Sequence, residues 1–347
     1  MNKWFENVNQ TRGENFISSR VRLTRNWDEY AFPNRLNVQQ AGELVGRLED
    51  GLSDIAAIEA APFRITTLDR LPETERLALK ERRIMNAQIA EAKQPCGLIL
   101  SEAEDVSLLL NGDDHIRIQC LSPGLNLETI YRHADKLDDY VNSRFNYAYD
   151  EKYGYLTSYP TSMGTGMRAN IVLHLPSLAK TDDGRNFIEN LSKFGVSIRS
   201  VYGKNKEHFG ALYDVSNNKT LGINEKEIIA LVTRVANQLN DKEAQLREAS
   251  FERHFLLRQD EAYRAYGIMK YARTMSVNSA LTFLSQLRSG LADGVIETLE
   301  PCSIYKLMLE IQTGNLLMKA ERPMDQRELD AWRADYLRAN LPIIKEA

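Results

Sequence analysis

Between residues 96 and 217 the apolar positions fall mostly in short runs bounded by turn residues, the pattern of strands. DVSLLLN (105–111) and HIRIQCL (115–121) flank Asn111-Gly112-Asp113-Asp114. Asn-Gly favours the positive-φ turn of a tight hairpin, so these two runs read as paired strands. On the second run His115, Arg117 and Gln119 share one face, and Ile116, Ile118 and Cys120 share the other. Further strands are expected at 154–158, 169–175, 196–202 and 210–216. Helical spacing interrupts them at Leu127, Ile130, Tyr131, Ala134, Leu137 and Val141. Asn224 and Glu227 make a capping box ahead of Ile228, Leu231, Val232 and Val235. This pattern predicts an α+β fold, an antiparallel sheet flanked by helices and covered by them on one side.

After about residue 250 the strand pattern stops. Helices are expected at 262–275, 276–290, 303–313 and 325–340, punctuated by Gly290 and Arg322-Pro323. The charged run 241–261 reads as a helix with a solvated face that links two parts. The domains are therefore placed at 1–250 and 251–347, the second all-helical.

Composition narrows the class. A chain of 347 residues is long enough for two domains with their own cores. A net charge of −4 argues against a nucleic-acid partner. Cys96, Cys120 and Cys302 are too widely spaced for a disulfide framework, which fits a reducing cytoplasm. The histidines show no metal-ligand spacing, so no metal site is expected. MNKWFENVNQ has no apolar leader core, and no run of about 18 apolar residues exists, so a cytoplasmic protein that does not meet the membrane is expected.

The candidate chemistry lies in arginines held in short, separate segments. Arg20 and Arg22 fall in SSRVRLTRN, Arg117 in DDHIRIQ, Arg168 in GTGMRAN and Arg199 in IRSVYGK. Arginine presents a planar fork of donors that stays charged, so converging arginines suit a polyphosphate. Arg20 and Arg22, two apart on an extended segment, point to one face.

These segments, with NGDDHIRIQ and YPTSMGTGMRANIVLHLP, resemble the ATP:guanidino phosphotransferases, closest to the bacterial protein-arginine kinases. SALTFLSQLRSGLADGVIETL resembles the helical C-terminal domain of that group. The resemblance implies transfer of the γ-phosphoryl of ATP, carried with Mg2+, to a guanidinium group, most simply arginine side chains of proteins. It implies ATP contacts from Ser18, Ser19, Arg20, Val21 and Arg22, and from Arg117. It adds Arg168, Ala169, Asn170, Ile171 and Val172, and the loop Arg199, Ser200, Val201, Tyr202, Gly203 and Lys204. Protein substrates with exposed arginines, an activator protein and a homo-oligomer are the partners it implies.

The acceptor side departs from the family pattern. Where the family has two adjacent glutamates, this chain has Gly112 and Asp113. Asp113, with Asp114 and Glu207 in support, is the implied catalytic carboxylate. Aspartate is one methylene shorter than glutamate, and a displacement of ~1 Å can cost ~100-fold in rate. Lys204 stands at a family glutamate, and Tyr159, which reads as a core tyrosine, at a family cysteine. Arg83 stands where the family has a nucleotide-contacting histidine. A C-terminal phosphoarginine-binding element of the bacterial kinases is matched by Asp330, Arg333 and Ala334, with Leu329 in place of its leading arginine. Two functional readings follow: a kinase, or a catalytically impaired pseudokinase that binds ATP and regulates or scaffolds.

Overall fold

A computed structural model describes residues 2–8, 15–203 and 207–345. The strands are β1 (Phe16–Arg25), β2 (Phe63–Thr67), β3 (Gly97–Ser101), β4 (Val106–Leu110), β5 (Ile116–Pro123), β6 (Tyr149–Asp150), β7 (Gly154–Tyr155), β8 (Met167–His174), β9 (Val196–Ser200) and β10 (Leu212–Asn217). The first helices are α1 (Val38–Gly51), α2 (Ile55–Ile58), α3 (Glu73–Glu81), α4 (Ala87–Ala90), α5 (Leu127–Asn142), α6 (Pro176–Lys180) and α7 (Asp182–Ser192). They are followed by α8 (Glu225–Tyr271), α9 (Val277–Asp293), α10 (Ile304–Glu310), α11 (Thr313–Ala320) and α12 (Gln326–Asn340). One sheet has eight strands in the order β2-β3-β4-β5-β1-β8-β10-β9, and β6 pairs separately with β7. The expected strand at 154–158 shrinks to Gly154–Tyr155. Among the described residues no helix is long and apolar enough to cross a membrane.

The chain divides into two compact units. The first holds Met1–Trp4, Ser19–Asn170 and Ser216–Thr233. Here β2 to β5 are successive antiparallel neighbours, and a row runs Thr66, Leu98, Leu109, Arg117 across them. Every residue of β3 and β4 is buried, so both faces of the sheet are covered there, where the sequence suggested one. Helix α5 packs on β5 through Leu127, Ile130, Ala134, Leu137 and Val141, the stripe its spacing predicted. Each such fully buried leucine contributes ~2 kcal/mol. Arg25 ties β1 to α5: its Nη2 lies 2.7 Å from an Asp138 oxygen, and the Tyr147 hydroxyl donates to the other at 2.9 Å. That buried ion pair fixes the end of the strand that carries Arg20 and Arg22.

The second unit holds Phe5–Ser18, Ile171–Val215 and Arg234–Ala347. Helix α7 packs on β9, and α9 packs on the turn Phe209–Ala211. The buried Glu243 carboxylate of α8 accepts from the Ser177 and Leu178 backbone N–H groups, both at 2.9 Å, and so caps α6. Helix α8 breaks its regular geometry at His254 (φ −137°, ψ 35°). The expected helix at 262–275 is the last part of α8, and α11 was not foreseen.

Candidate functional site

Three neighbouring strands of the sheet each send one arginine into the same cavity. Arg22 comes from β1, Arg117 from β5 and Arg168 from β8, and β5, β1 and β8 are consecutive in the sheet. The pleat accounts for this: the residues beside Arg117 and Arg168, namely Ile116, Ile118, Met167 and Ala169, are fully buried on the opposite face. The cavity measures about 100 Å³, lies in the first unit and is also lined by Asp113, Asp114 and Tyr159.

Arg117 is half-buried, and its Nη2 donates to the Ile84 carbonyl at 2.6 Å. Burial pushes its pKa below the ordinary arginine value, while the Asp113 and Asp114 charges act against that shift. Its buried Nε has no hydrogen-bond partner among the described residues. Arg168 donates from Nη1 to the Asn217 carbonyl at 2.9 Å. Guanidinium groups on one wall, one with a spare buried donor, fit the phosphates of a nucleotide. Gly166 beside them is required sterically: at φ 61° a Cβ would sit 2.6 Å from the Thr24 carbonyl oxygen.

The two aspartates differ. Asp114 is buried, and its Oδ1 accepts from Asn26 Nδ2 at 2.7 Å and from the Ser158 N–H at 2.6 Å. It is a fixed strut of the site. Asp113 is half-buried, and one oxygen, Oδ2, accepts from Asn86 Nδ2 at 2.9 Å. The turn chemistry also differs from the expectation. Asn111 alone takes the left-handed conformation (φ 53°), its Nδ2 donating to Pro95 O at 2.7 Å, while Gly112 stays out of that region. The missing side chain of Gly112 instead makes room for Leu109 and Ile89, whose terminal carbons would lie 2.7 and 3.0 Å from a Cβ there.

Tyr159 is not a core residue: it is 48% exposed and faces the cavity. The following Pro160 holds it extended, at φ −110° and ψ 124°.

The remaining predicted residues divide as follows. Ser18, Ser19, Arg20 and Val21 are buried along β1, and the Ser19 hydroxyl donates to the Gly124 carbonyl at 2.7 Å. Ala169, Asn170, Ile171 and Val172 are buried in β8, where the Ala169 N–H donates to Asn217 Oδ1. Arg83 ends α3 in the left-handed region at φ 66°. In the second unit Arg199 is exposed on β9, and the Ser200 hydroxyl donates to the Tyr202 carbonyl. Val201 and Tyr202 are half-buried. Gly203 approaches the backbone of an exposed Glu207, leaving 2.6 Å between a Cβ and its carbonyl oxygen. Lys204 lies outside the described residues. Arg333 is fully buried with Ala334, donating to the carbonyls of Ile311 and Met275 at 2.9 Å each and to Asp330. The sequence reading missed Asn86, whose signal was a helix-capping asparagine before Ala-Gln-Ile-Ala.

Comparisons with known proteins bear on the fold and the family. Residues 49–246 match the family described as ATP:guanido phosphotransferase, C-terminal catalytic domain. Residues 257–347 match the family described as protein-arginine kinase McsB C-terminal domain. The protein-arginine kinase of Desulforamulus reducens is 36% identical over 342 residues, covering 98% of this chain and 95% of that one. That of Syntrophomonas wolfei is 34% identical over 339 residues, covering 97% and 94%. Among solved structures, lombricine kinase aligns with a TM-score of 0.58 at 18% identity, over 70% of each chain. The substrate-free duplicated taurocyamine kinase of Schistosoma mansoni aligns at 0.60 and 23% identity, over 70% of this chain and 35% of its own length. This chain thus spans about a third of that duplicated protein, and the two structures share its fold. The chain belongs to the ATP:guanidino phosphotransferase family, as a protein-arginine-kinase-like guanidino phosphotransferase.

Proposed function

We propose that this enzyme transfers the γ-phosphoryl group of ATP to the guanidinium of arginine side chains in other proteins. The observation that carries the proposal is one cavity shared by three guanidinium groups and the Asp113 carboxylate. The relatives named protein-arginine kinase, matched over nearly their whole length, support the acceptor class and the kinase over the pseudokinase. The proposed domain boundary near residue 250 falls between the two family matches, which end at residue 246 and begin at residue 257.

Arg22, Arg117 and Arg168 hold phosphate oxygens and offset the charge that builds on them, which is most of what phosphoryl transfer asks of a protein. Mg2+ carried by the nucleotide would add further charge neutralisation on the phosphates. Asp113 accepts hydrogen bonds from the target guanidinium and takes its proton as the nitrogen attacks phosphorus. The N–P bond forms, the bridging O–P bond breaks, and ADP leaves. Asp114, fixed by Asn26 and Ser158, supplies a second negative charge beside it. On the family resemblance, Arg20 joins the phosphate grip.

Asp113→Asn keeps the shape and removes the base. It is expected to lower phosphoarginine formation by at least ~100-fold while leaving Mg-ATP affinity unchanged. Full activity in that variant would remove Asp113 from the mechanism.

A further inference from the structure

Asp113 is shorter than the glutamate of the family pattern, and the structure shows what holds it. Segment 83–90 is fastened to the site at three points. Arg117 Nη2 donates to Ile84 O at 2.6 Å, Gln119 Nε2 donates to Arg83 O at 3.3 Å, and Asn86 Nδ2 donates to Asp113 Oδ2 at 2.9 Å. The Asn86 side chain is shared between two tasks. Its Oδ1 accepts from the Ile89 N–H at 2.8 Å and caps α4, which directs its amide group at the carboxylate. Ile89, one turn on, occupies the space left by Gly112 beside Asp113. A side chain at residue 112 would meet Ile89, so Gly112 and the seating of α4 belong together.

We infer that Asn86 is a positioning residue for the transfer, a claim that rests on the role proposed for Asp113. Its amide occupies Oδ2 and fixes the carboxylate plane, so that Oδ1 is the oxygen left for the guanidinium. A carboxylate on a single short side chain otherwise turns about its χ2 bond, and a turned carboxylate presents neither lone pair in line.

The test uses full-length enzyme, Mg-ATP and an arginine-rich unfolded protein, with phosphoarginine as readout. Asn86→Ser keeps a capping oxygen for α4 and loses the amide donor. It is expected to lower kcat about ten-fold, with the KM for ATP and the melting temperature unchanged. Asn86→Asp keeps cap and size but sets a second carboxylate against Asp113. It is expected to move the acid limb of the kcat profile to higher pH, which a purely structural role would not do. In the Asp113→Asn background, Asn86→Ser is expected to have no further effect on the residual rate. Wild-type kcat and an unmoved pH profile in both Asn86 variants, with Asp113→Asn inactive, would overturn the role of Asn86 alone. Full activity in Asp113→Asn, or no phosphoarginine from the wild-type enzyme, would overturn the reading of Asp113, and this inference with it.

Discussion

Asp113 and Asp114 are adjacent in sequence and differ in what surrounds them. Two donors, from Asn26 and Ser158, hold Asp114 in a buried position, while Asp113 keeps an oxygen that no described residue holds by a hydrogen bond. His115, next along, is buried as a neutral ring. Its Nδ1 accepts from the Trp27 N–H at 3.1 Å, so its Nε2 donates to the Ala31 carbonyl at 2.9 Å. Burial pushes its pKa down to about 4. As pH falls from about 6.5 towards 4, the unfolded chain takes up a proton that the folded chain refuses. Stability is therefore lost on the acid side, at ~1.4 kcal/mol per pH unit and roughly 3 kcal/mol in all. His174, pushed low by burial and by the nearby Arg288, adds to the same slope. Replacing His115 by glutamine should remove about one proton from the difference between pH 7 and pH 5 in urea unfolding. An unchanged slope would show that His115 is not the group responsible.

At the scale of elements, periodicity was a good guide wherever one face of an element meets the core. The stripe of α5, the capping box opening α8 and helix α12 were all legible, because each depends on residues within a turn or two of one another. The arginine strands were legible as segments, yet their meeting depends on the order β5-β1-β8, which no local pattern contains. Asn86 and Asp113 are 27 residues apart and meet through α4, so a local pattern could signal the cap at most and not its second bond. Tyr159 read as core because it is large and apolar, and the constraint from Pro160 sets it at the cavity instead. Arg333, the phosphoarginine-element match of the sequence, is buried among the C-terminal helices. Its Nε and Nη1 are committed to carbonyls at the ends of neighbouring helical segments, which makes it a clamp of the C-terminal helices. Arg333→Ala leaves two buried acceptors unpaired and a cavity behind, and is expected to cost ~3 kcal/mol in chemical denaturation. A loss below ~1 kcal/mol would show that the clamp is not structural.

Over the whole molecule, a chain of net charge −4 concentrates positive charge where one sheet exposes the same face of three strands. The family match extends across both its catalytic and its C-terminal helical parts. On the proposed reading Gly112, Asp113, Tyr159 and Lys204, most of the departures from the family pattern, fall on the acceptor side, while Arg22, Arg117 and Arg168 line one cavity. That asymmetry makes the chemical outcome, more than nucleotide binding, the decisive property of this enzyme. The most direct measurement is the phosphorus NMR spectrum of an arginine-rich unfolded protein after incubation with the purified enzyme and Mg-ATP, with gentle-fragmentation mass spectrometry to place the modification. The account predicts an acid-labile N–P product on arginine side chains that is lost in Arg22→Ala. ATP bound without any phosphoarginine, or product formed equally well by Arg22→Ala, would contradict it.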